Sequence, residues 1–90
     1  MPSFEFPPPS PAVVIANFIF APPTLTVAVG ATVTWKNNDL AAHTVTSDTG
    51  AWDSGDITQG NTFSHTFTEP GDFPYHCKHH TSMTGTVVVQ

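Results

Sequence analysis

Ninety residues suffice for one domain with one modest hydrophobic core. Two Lys, no Arg and seven acidic residues give a formal charge of −5, which argues against nucleic acid or an anionic membrane as the main partner. No apolar run approaches the ~20 residues that span a bilayer, so membrane insertion is not expected. The single cysteine, Cys77, excludes an internal disulfide.

Proline is concentrated at the start of the chain, where it occupies five of residues 1–11. Proline lacks a backbone donor and favours an extended polyproline conformation, so this stretch is unsuited to a central strand. We therefore predict a Pro-rich N-terminal segment at residues 1–11 and one domain at residues 12–90. The first residues also lack the basic start of a signal peptide, so none is expected in this chain.

The rest of the chain has the pattern of short strands separated by turns. Val, Ile and Phe dominate residues 12–20, which predicts one strand there. Leu25, Val27 and Val29 alternate with Thr and Ala, which is typical of a half-buried strand. With no helical pattern, about seven or eight strands predict an all-β, Greek-key β-sandwich. The remaining strand-like stretches lie at residues 31–36, 43–46, 63–67, 73–77 and 85–90.

Soft metal-binding side chains are concentrated near the C-terminal end. Residues 75–83 contain the only cysteine, three of the five histidines and one of the two methionines. Cys77, His80 and Met83 have the spacing Cys-x-x-His-x-x-Met, and a thiolate, an imidazole and a thioether together suit copper. Because one tight turn cannot surround an ion, a further ligand should come from elsewhere, and His43 is the candidate. Two His, one Cys and a weak axial Met form the ligand set of a blue-copper site.

Each of these residues also has an ordinary structural role as an alternative. A free buried cysteine such as Cys77 can be a small hydrophobic residue, and Met83 can fill a gap in the core. His43, beside a strand, can be a surface or hydrogen-bonded core residue. His79 and His80 carry the same imidazole, and chemistry alone does not distinguish them as ligands.

The ordered motifs of this chain resemble those of the cupredoxin (type 1 blue copper) family, and within it the small plastocyanin-like and amicyanin-like proteins. The short loop, with two residues between His80 and Met83, is more similar to the amicyanin-like members. The resemblance covers nearly the whole chain after Pro11. It rests on Phe18-x-Phe20-x-Pro22, Leu25-x-Val27, Val29-Gly30, Val33-x-Trp35-x-Asn37, His43-x-Val45, Thr66-Phe67-x-x-Pro70-Gly71 and Tyr75-His76-Cys77.

The resemblance implies the same sandwich fold and an electron-transfer function, with one type 1 copper per chain cycling between Cu(II) and Cu(I). It implies that His43, Cys77, His80 and Met83 are the metal ligands, with His80 chosen over its neighbour because it lies three residues after the cysteine. It also implies an electron carrier that turns over no substrate of its own. Redox partner proteins are expected to dock near His80, and the protein is expected to be a monomer in the periplasm or otherwise exported.

Three positions depart from the family pattern. His79 stands where most relatives have proline or another non-coordinating residue, and it adds a second imidazole beside His80. Ala42 and Thr44 stand where relatives often have Pro and Asn on either side of the histidine. The backbone N–H of Thr44 can still bond the cysteine sulfur, but tuning by an Asn side chain is lost.

Other classes of function remain open from the residues alone. A zinc-binding or copper-carrier module could use the same Cys and His side chains, although zinc has little use for the thioether of Met83. A thiol enzyme built on Cys77 would need a substrate cleft and an oxyanion site, and the sequence shows no sign of either. The acids Asp48, Asp53, Asp56 and Asp72 are either part of a docking patch or an ordinary solvated surface.

Overall fold

The computed structural model describes residues 11–90. All of the predicted Pro-rich segment except Pro11 lies outside the described residues, so that prediction stays untested. Among residues 11–90 there is no helix, and hence no helix long and apolar enough to cross a membrane. The described strands are β1 (Ala12–Ala16), β2 (Ile19–Ala21), β3 (Thr24–Val27), β4 (Thr32–Asn37), β5 (Thr46–Ser47), β6 (Thr62–Thr66), β7 (Gly71–Cys77) and β8 (His80–Val89).

The strands form two four-stranded mixed sheets, which confirms the all-β sandwich. One sheet has the order β2-β1-β4-β6 and the other β3-β8-β7-β5. The β1–β4 and β3–β8 pairs are parallel, and the other pairs are antiparallel. In the second sheet the long strands β7 and β8 pair along their length, so the turn between them lies at one end of the sandwich.

An aromatic cluster fills the space between the two sheets. Trp35 of β4 is fully buried and meets Tyr75 of β7 edge to face, with ring centroids 5.5 Å apart. Phe20 of β2 also meets Tyr75 edge to face, with ring centroids 4.8 Å apart. Trp52, in the segment between β5 and β6, is also in the core at 8% exposure. These large side chains make the sheets one packed unit, because aromatic residues bury the most apolar area per residue.

Tyr75 is packed so closely that the neighbouring strand requires glycine. A Cβ atom added at Gly85 would overlap the Tyr75 phenol ring, so no larger residue fits without movement. Burial raises the pKa of Tyr75 to about 12. This close β7–β8 contact lies two residues before Cys77, next to the hairpin tip that carries Cys77 and His80.

Two sequence-based strand predictions need correction. Residues 12–20 are not one strand, because the chain reverses at Asn17–Phe18 and β2 returns antiparallel to β1. The apolar pattern missed this turn because both residues adopt positive φ angles without a glycine. The predicted strand at 43–46 is reduced to an isolated bridge between His43 and Ile57, followed by the short β5.

Candidate metal centre

Three predicted ligand side chains meet at one end of the sandwich. His43 lies between β4 and β5, Cys77 ends β7 and His80 begins β8. Their donor atoms all lie within 4.8 Å of one another. The Cys77 sulfur is 3.7 Å from Nδ1 of His43 and 3.8 Å from Nδ1 of His80. Both imidazoles thus direct the same ring nitrogen towards the thiol.

The sulfur–nitrogen distances fit bonds to a metal ion between the donors. Zinc, a first-row ion close in size to copper, makes bonds of about 2.3 Å to thiolate sulfur and about 2.0 Å to imidazole nitrogen. At an angle of 120° such bonds separate the sulfur from each nitrogen by about 3.7 Å. The two measured sulfur–nitrogen separations, 3.7 and 3.8 Å, agree with this value. The Cys77 sulfur therefore lies at ligand spacing from both imidazoles.

The Cys77 thiol is fully buried, and both the strand register and a backbone hydrogen bond fix its position. A shift in the β7–β8 register between His76 and Cys77 places Cys77 opposite His80. Such irregularities re-aim side chains next to functional sites. The backbone N–H of Thr44 donates to the sulfur at 3.4 Å, as predicted from the sequence. The Lys78 N–H in turn donates to the Thr44 hydroxyl at 2.8 Å, which ties the two loops together.

The His43 ring is oriented by a carboxylate that sequence analysis missed. Nε2 of His43 lies 2.9 Å from Oδ2 of Asp39, so a proton on Nε2 leaves Nδ1 free to bind a metal. Asp39 also accepts the backbone N–H groups of Asn17 at 2.7 Å and Phe18 at 2.9 Å. The hydrogen bond from Phe18, followed by those from His43 and Asn17, lowers the pKa of Asp39 despite partial burial. In the sequence, the available signal for this contact was the carboxylate of Asp39, four residues before the candidate ligand His43.

The backbone around His43 is fastened to the rest of the fold. The His43 N–H and carbonyl both bond to Ile57, at 3.2 and 2.7 Å. The fully buried Asn37 side chain donates to the carbonyls of Ala41 and Ile57 at 2.9 and 2.8 Å. Its Oδ1 accepts the Asp39 N–H at 2.8 Å. The loop that presents His43 is therefore fixed at several points.

The structure separates the two adjacent histidines. His80 is half-buried and joins His43 and Cys77, whereas His79 is outside the cluster. Nε2 of His79 instead lies 2.6 Å from Oδ1 of Asp56, with both side chains exposed. Adjacent residues at a turn point in different directions, so only one of the pair can reach the cysteine.

Met83 lies on β8, three residues after His80, and is 5% exposed. It belongs to the buried core cluster, as expected if it fills a gap in the core. Its role as a ligand therefore stays a prediction.

The acidic residues near the site do not form a free acidic patch. Asp48 lies 2.5 Å from the His76 ring, Asp53 pairs with Lys78, and Asp56 pairs with His79. Lys78 is the first cause of the lowered pKa of Asp53. Each acid of the 48–56 segment thus meets a basic side chain beside Cys77. The three pairs connect this loop to the ligand hairpin.

A sandwich that brings one thiol and two imidazoles to one end defines a metal-binding β-sandwich protein. Residues 11–90 match the copper binding proteins of the plastocyanin/azurin family, and the chain belongs to that family.

Among curated proteins, the amicyanin of Paracoccus denitrificans is 37% identical over 81 residues, which is 84% of this chain and 62% of that protein. The chloroplastic plastocyanin of Oryza sativa subsp. indica is 37% identical over 84 residues, covering 79% of this chain and 54% of that protein. The chain thus spans less than two thirds of the length of both relatives.

Solved structures give the same result. An oxidised methionine-to-leucine variant of amicyanin superposes with a TM-score of 0.87 at 34% identity, covering 96% of this chain and 87% of that one. A purple cupredoxin from Nitrosopumilus maritimus has a TM-score of 0.83 at 30% identity, covering 89% of this chain and 99% of that one. These matches confirm the cupredoxin fold predicted from the sequence.

Proposed function

We propose that this chain is an electron-transfer protein that binds one copper ion through His43, Cys77 and His80, with Met83 as a weak axial ligand. The observation that carries the proposal is the convergence of one buried thiol and two imidazole nitrogens, with sulfur–nitrogen separations of 3.7 and 3.8 Å. Copper bound there supplies one-electron exchange between Cu(II) and Cu(I). The protein is then an electron carrier and not an enzyme, because it transforms no substrate.

The residues of this chain keep the donors in one geometry. Thr44 holds the Cys77 sulfur, and Asp39 holds the His43 ring. Donors that are fixed by surrounding hydrogen bonds move little when the charge at the centre changes. A site that does not rearrange suits rapid gain and loss of an electron.

The competing classes fit the site less well. A thiol enzyme needs an accessible thiolate, and the Cys77 side chain is fully buried. A structural zinc site usually has four Cys or His ligands, and among residues 11–90 only three such donors converge. A thioether at Met83 suits copper better than zinc.

Spectroscopy of the metal-loaded protein tests the proposal. With one equivalent of Cu(II), we expect an intense visible thiolate-to-copper band and the electron paramagnetic resonance spectrum of a type 1 site. The same protein loaded with Zn²⁺ should be colourless and serves as the control. A colourless Cu(II) form would refute the electron-transfer function.

We further propose that redox partners dock on the apolar surface around His80. Leu40 is 88% exposed, and Ile19 and Phe18 are 57% and 50% exposed. Leu40 follows Asp39, whose carboxylate bonds to the His43 ring, and Phe18 contacts the His80 ring. Both exposed residues are therefore adjacent to groups that contact the two imidazoles. Contiguous exposed apolar side chains are typical of protein interaction surfaces.

A pair of charge substitutions tests this docking surface. Leu40→Glu should lower the electron self-exchange rate between copies of the protein at least about tenfold, because a desolvated charge at a contact costs more than ~1.4 kcal/mol. Val29→Glu is the matched control, since Val29 is 48% exposed and bonds to Gln90, at the opposite end of β8 from His80. Equal self-exchange rates in the two variants would contradict a docking surface at Leu40.

We infer that the protein works as a monomer in the periplasm or another exported location. All three converging donors come from one chain, so a second copy is not needed to complete the site. The exported location is supported by membership of the family. Sedimentation of the copper-loaded protein should give the mass of one chain, and a dimer would contradict the monomer proposal.

A further inference from the structure

The turn between β1 and β2 places a bulky residue in an unfavourable backbone conformation. Asn17 and Phe18 have φ angles of 53° and 60°, so both are left-handed. A two-residue hairpin turn of this kind normally has Asn followed by Gly, because glycine accepts a positive φ without steric cost. Phenylalanine at the second position is an outlier that the surrounding structure must maintain.

The conformation is maintained by the carboxylate that also orients His43. Asp39 accepts the N–H groups of both turn residues while its Oδ2 bonds to the His43 ring. One carboxylate thus fixes the turn and the imidazole relative to each other. Charged acceptors form the stronger class of hydrogen bonds, which is what a strained turn requires.

The strained turn brings the Phe18 ring against both imidazoles of the site. Its centroid lies 5.1 Å from that of His43 and 4.9 Å from that of His80, with interplanar angles of 89° and 81°. The two imidazole centroids are themselves 5.3 Å apart. Perpendicular aromatic contacts at these distances are attractive and restrict ring rotation. Half of the Phe18 surface remains exposed, so the core does not require this ring.

We propose that Phe18 is a positioning residue, and that the chain keeps a strained turn at Asn17–Phe18 so that this ring braces His43 and His80. The inference rests on the proposed copper site and assigns to Phe18 a role separate from partner docking. The brace matters most for His80, because His43 already has a hydrogen bond to Asp39. At this position glycine would favour the stability of the turn, whereas a phenyl ring favours a fixed geometry of the two imidazoles.

Two substitutions that both remove the ring separate strain from bracing. Phe18→Ala keeps the unfavourable φ, whereas Phe18→Gly relieves it. In the metal-free protein we expect the Gly variant to melt above the Ala variant by a few degrees, on the order of 4 °C, after allowing for the greater freedom of glycine in the unfolded chain. Equal melting temperatures, or a lower value for Gly, would show that the turn stores no strain.

The Cu(II) affinity and the spectrum of the copper-loaded variants then test whether the ring braces the imidazoles. Both variants should bind Cu(II) about tenfold more weakly than the parent and give broadened electron paramagnetic resonance lines, because the imidazoles sample more orientations. Phe18→Tyr, which keeps the ring, should restore the parent spectrum. Ile19→Ala is the control, since Ile19 is exposed on the same hairpin and its neighbour Phe20 faces the core. It should leave the spectrum unchanged.

The outcomes distinguish this inference from the proposed function. A parent protein without the type 1 spectrum would refute the copper site itself. A parent with that spectrum and Phe18 variants with unchanged spectra and affinities would refute only the bracing role. Variants that merely melt lower, with the parent spectrum, would likewise make Phe18 an ordinary packing residue.

Discussion

The loop that carries His43 and the hairpin that carries His80 contribute the same ring nitrogen to one site but are built differently. His43 is fully buried, its backbone bonds to Ile57, and its outer nitrogen bonds to Asp39. His80 is half-buried at the start of β8, and its ring contacts Phe18 and Cys77. One imidazole is anchored by hydrogen bonds in the core, and the other rests on aromatic contact near the surface.

This difference suggests a division of labour within the proposed copper site. A buried, hydrogen-bonded ligand keeps its geometry whatever happens at the surface. A ligand beside the exposed Phe18 ring can come close to a partner and shorten the path of an electron. Substitutions in the two regions should therefore have different effects, and the largest is expected at Cys77, next to which both imidazoles lie.

Cys77→Ser should have the largest effect, because both imidazoles converge on this sulfur. We expect complete loss of the visible thiolate-to-copper band, since a hydroxyl cannot supply the charge-transfer transition. The sandwich should remain folded because its aromatic core is intact. Absorption spectra with Cu(II) and circular dichroism of the metal-free protein check the two parts. An intense band in the Ser variant would exclude Cys77 as a ligand.

Truncating each histidine in turn should show which region depends on its ligand for stability. In the metal-free protein, His43→Ala should cost about 2–4 kcal/mol because it leaves a cavity and removes a hydrogen bond to Asp39. His80→Ala should cost less than about 1 kcal/mol because the ring is partly exposed. Denaturant unfolding of both variants measures the difference. Similar losses for the two would contradict the proposed division.

The two histidine–carboxylate pairs permit a matched test of the anchor. Asp39→Asn weakens the hydrogen bond to His43, and we expect metal affinity to fall about 10–100-fold. Asp56→Asn likewise weakens the exposed pair with His79 and should change stability by less than about 1 kcal/mol and leave metal affinity near that of the parent. Competition with a chelator measures both affinities. If the Asp56 variant lost as much as the Asp39 variant, the anchor would not be specific to His43.

Met83→Leu should have the smallest effect on binding. Leucine fills a similar volume, so the fold and the bound copper should be retained. The reduction potential should rise, because losing the thioether disfavours Cu(II). Voltammetry of the parent and variant measures this shift. A potential and spectrum identical to those of the parent would make Met83 a packing residue only.

Much of the fold and part of the site were predictable because their signals are local. Alternation of apolar and polar residues predicted most of the strands, and their number predicted the sandwich. The strand turn at Asn17–Phe18 was missed because its positive φ values are imposed by Asp39, a residue more than twenty positions away. Asp39 was also missed from the sequence, since its role depends on a ring that the fold brings to it.

The sequence by itself determined the donor chemistry, because Cys77, His80 and Met83 lie within one short stretch and their side chains define which metal they suit. Tertiary structure decided which histidine of the adjacent pair joins His43 and the cysteine, and which one pairs with Asp56 instead. It also decided that Phe18 and Asp39 belong to the site. Such contacts join residues far apart in the chain, and only the packing of the two sheets brings them within bonding distance.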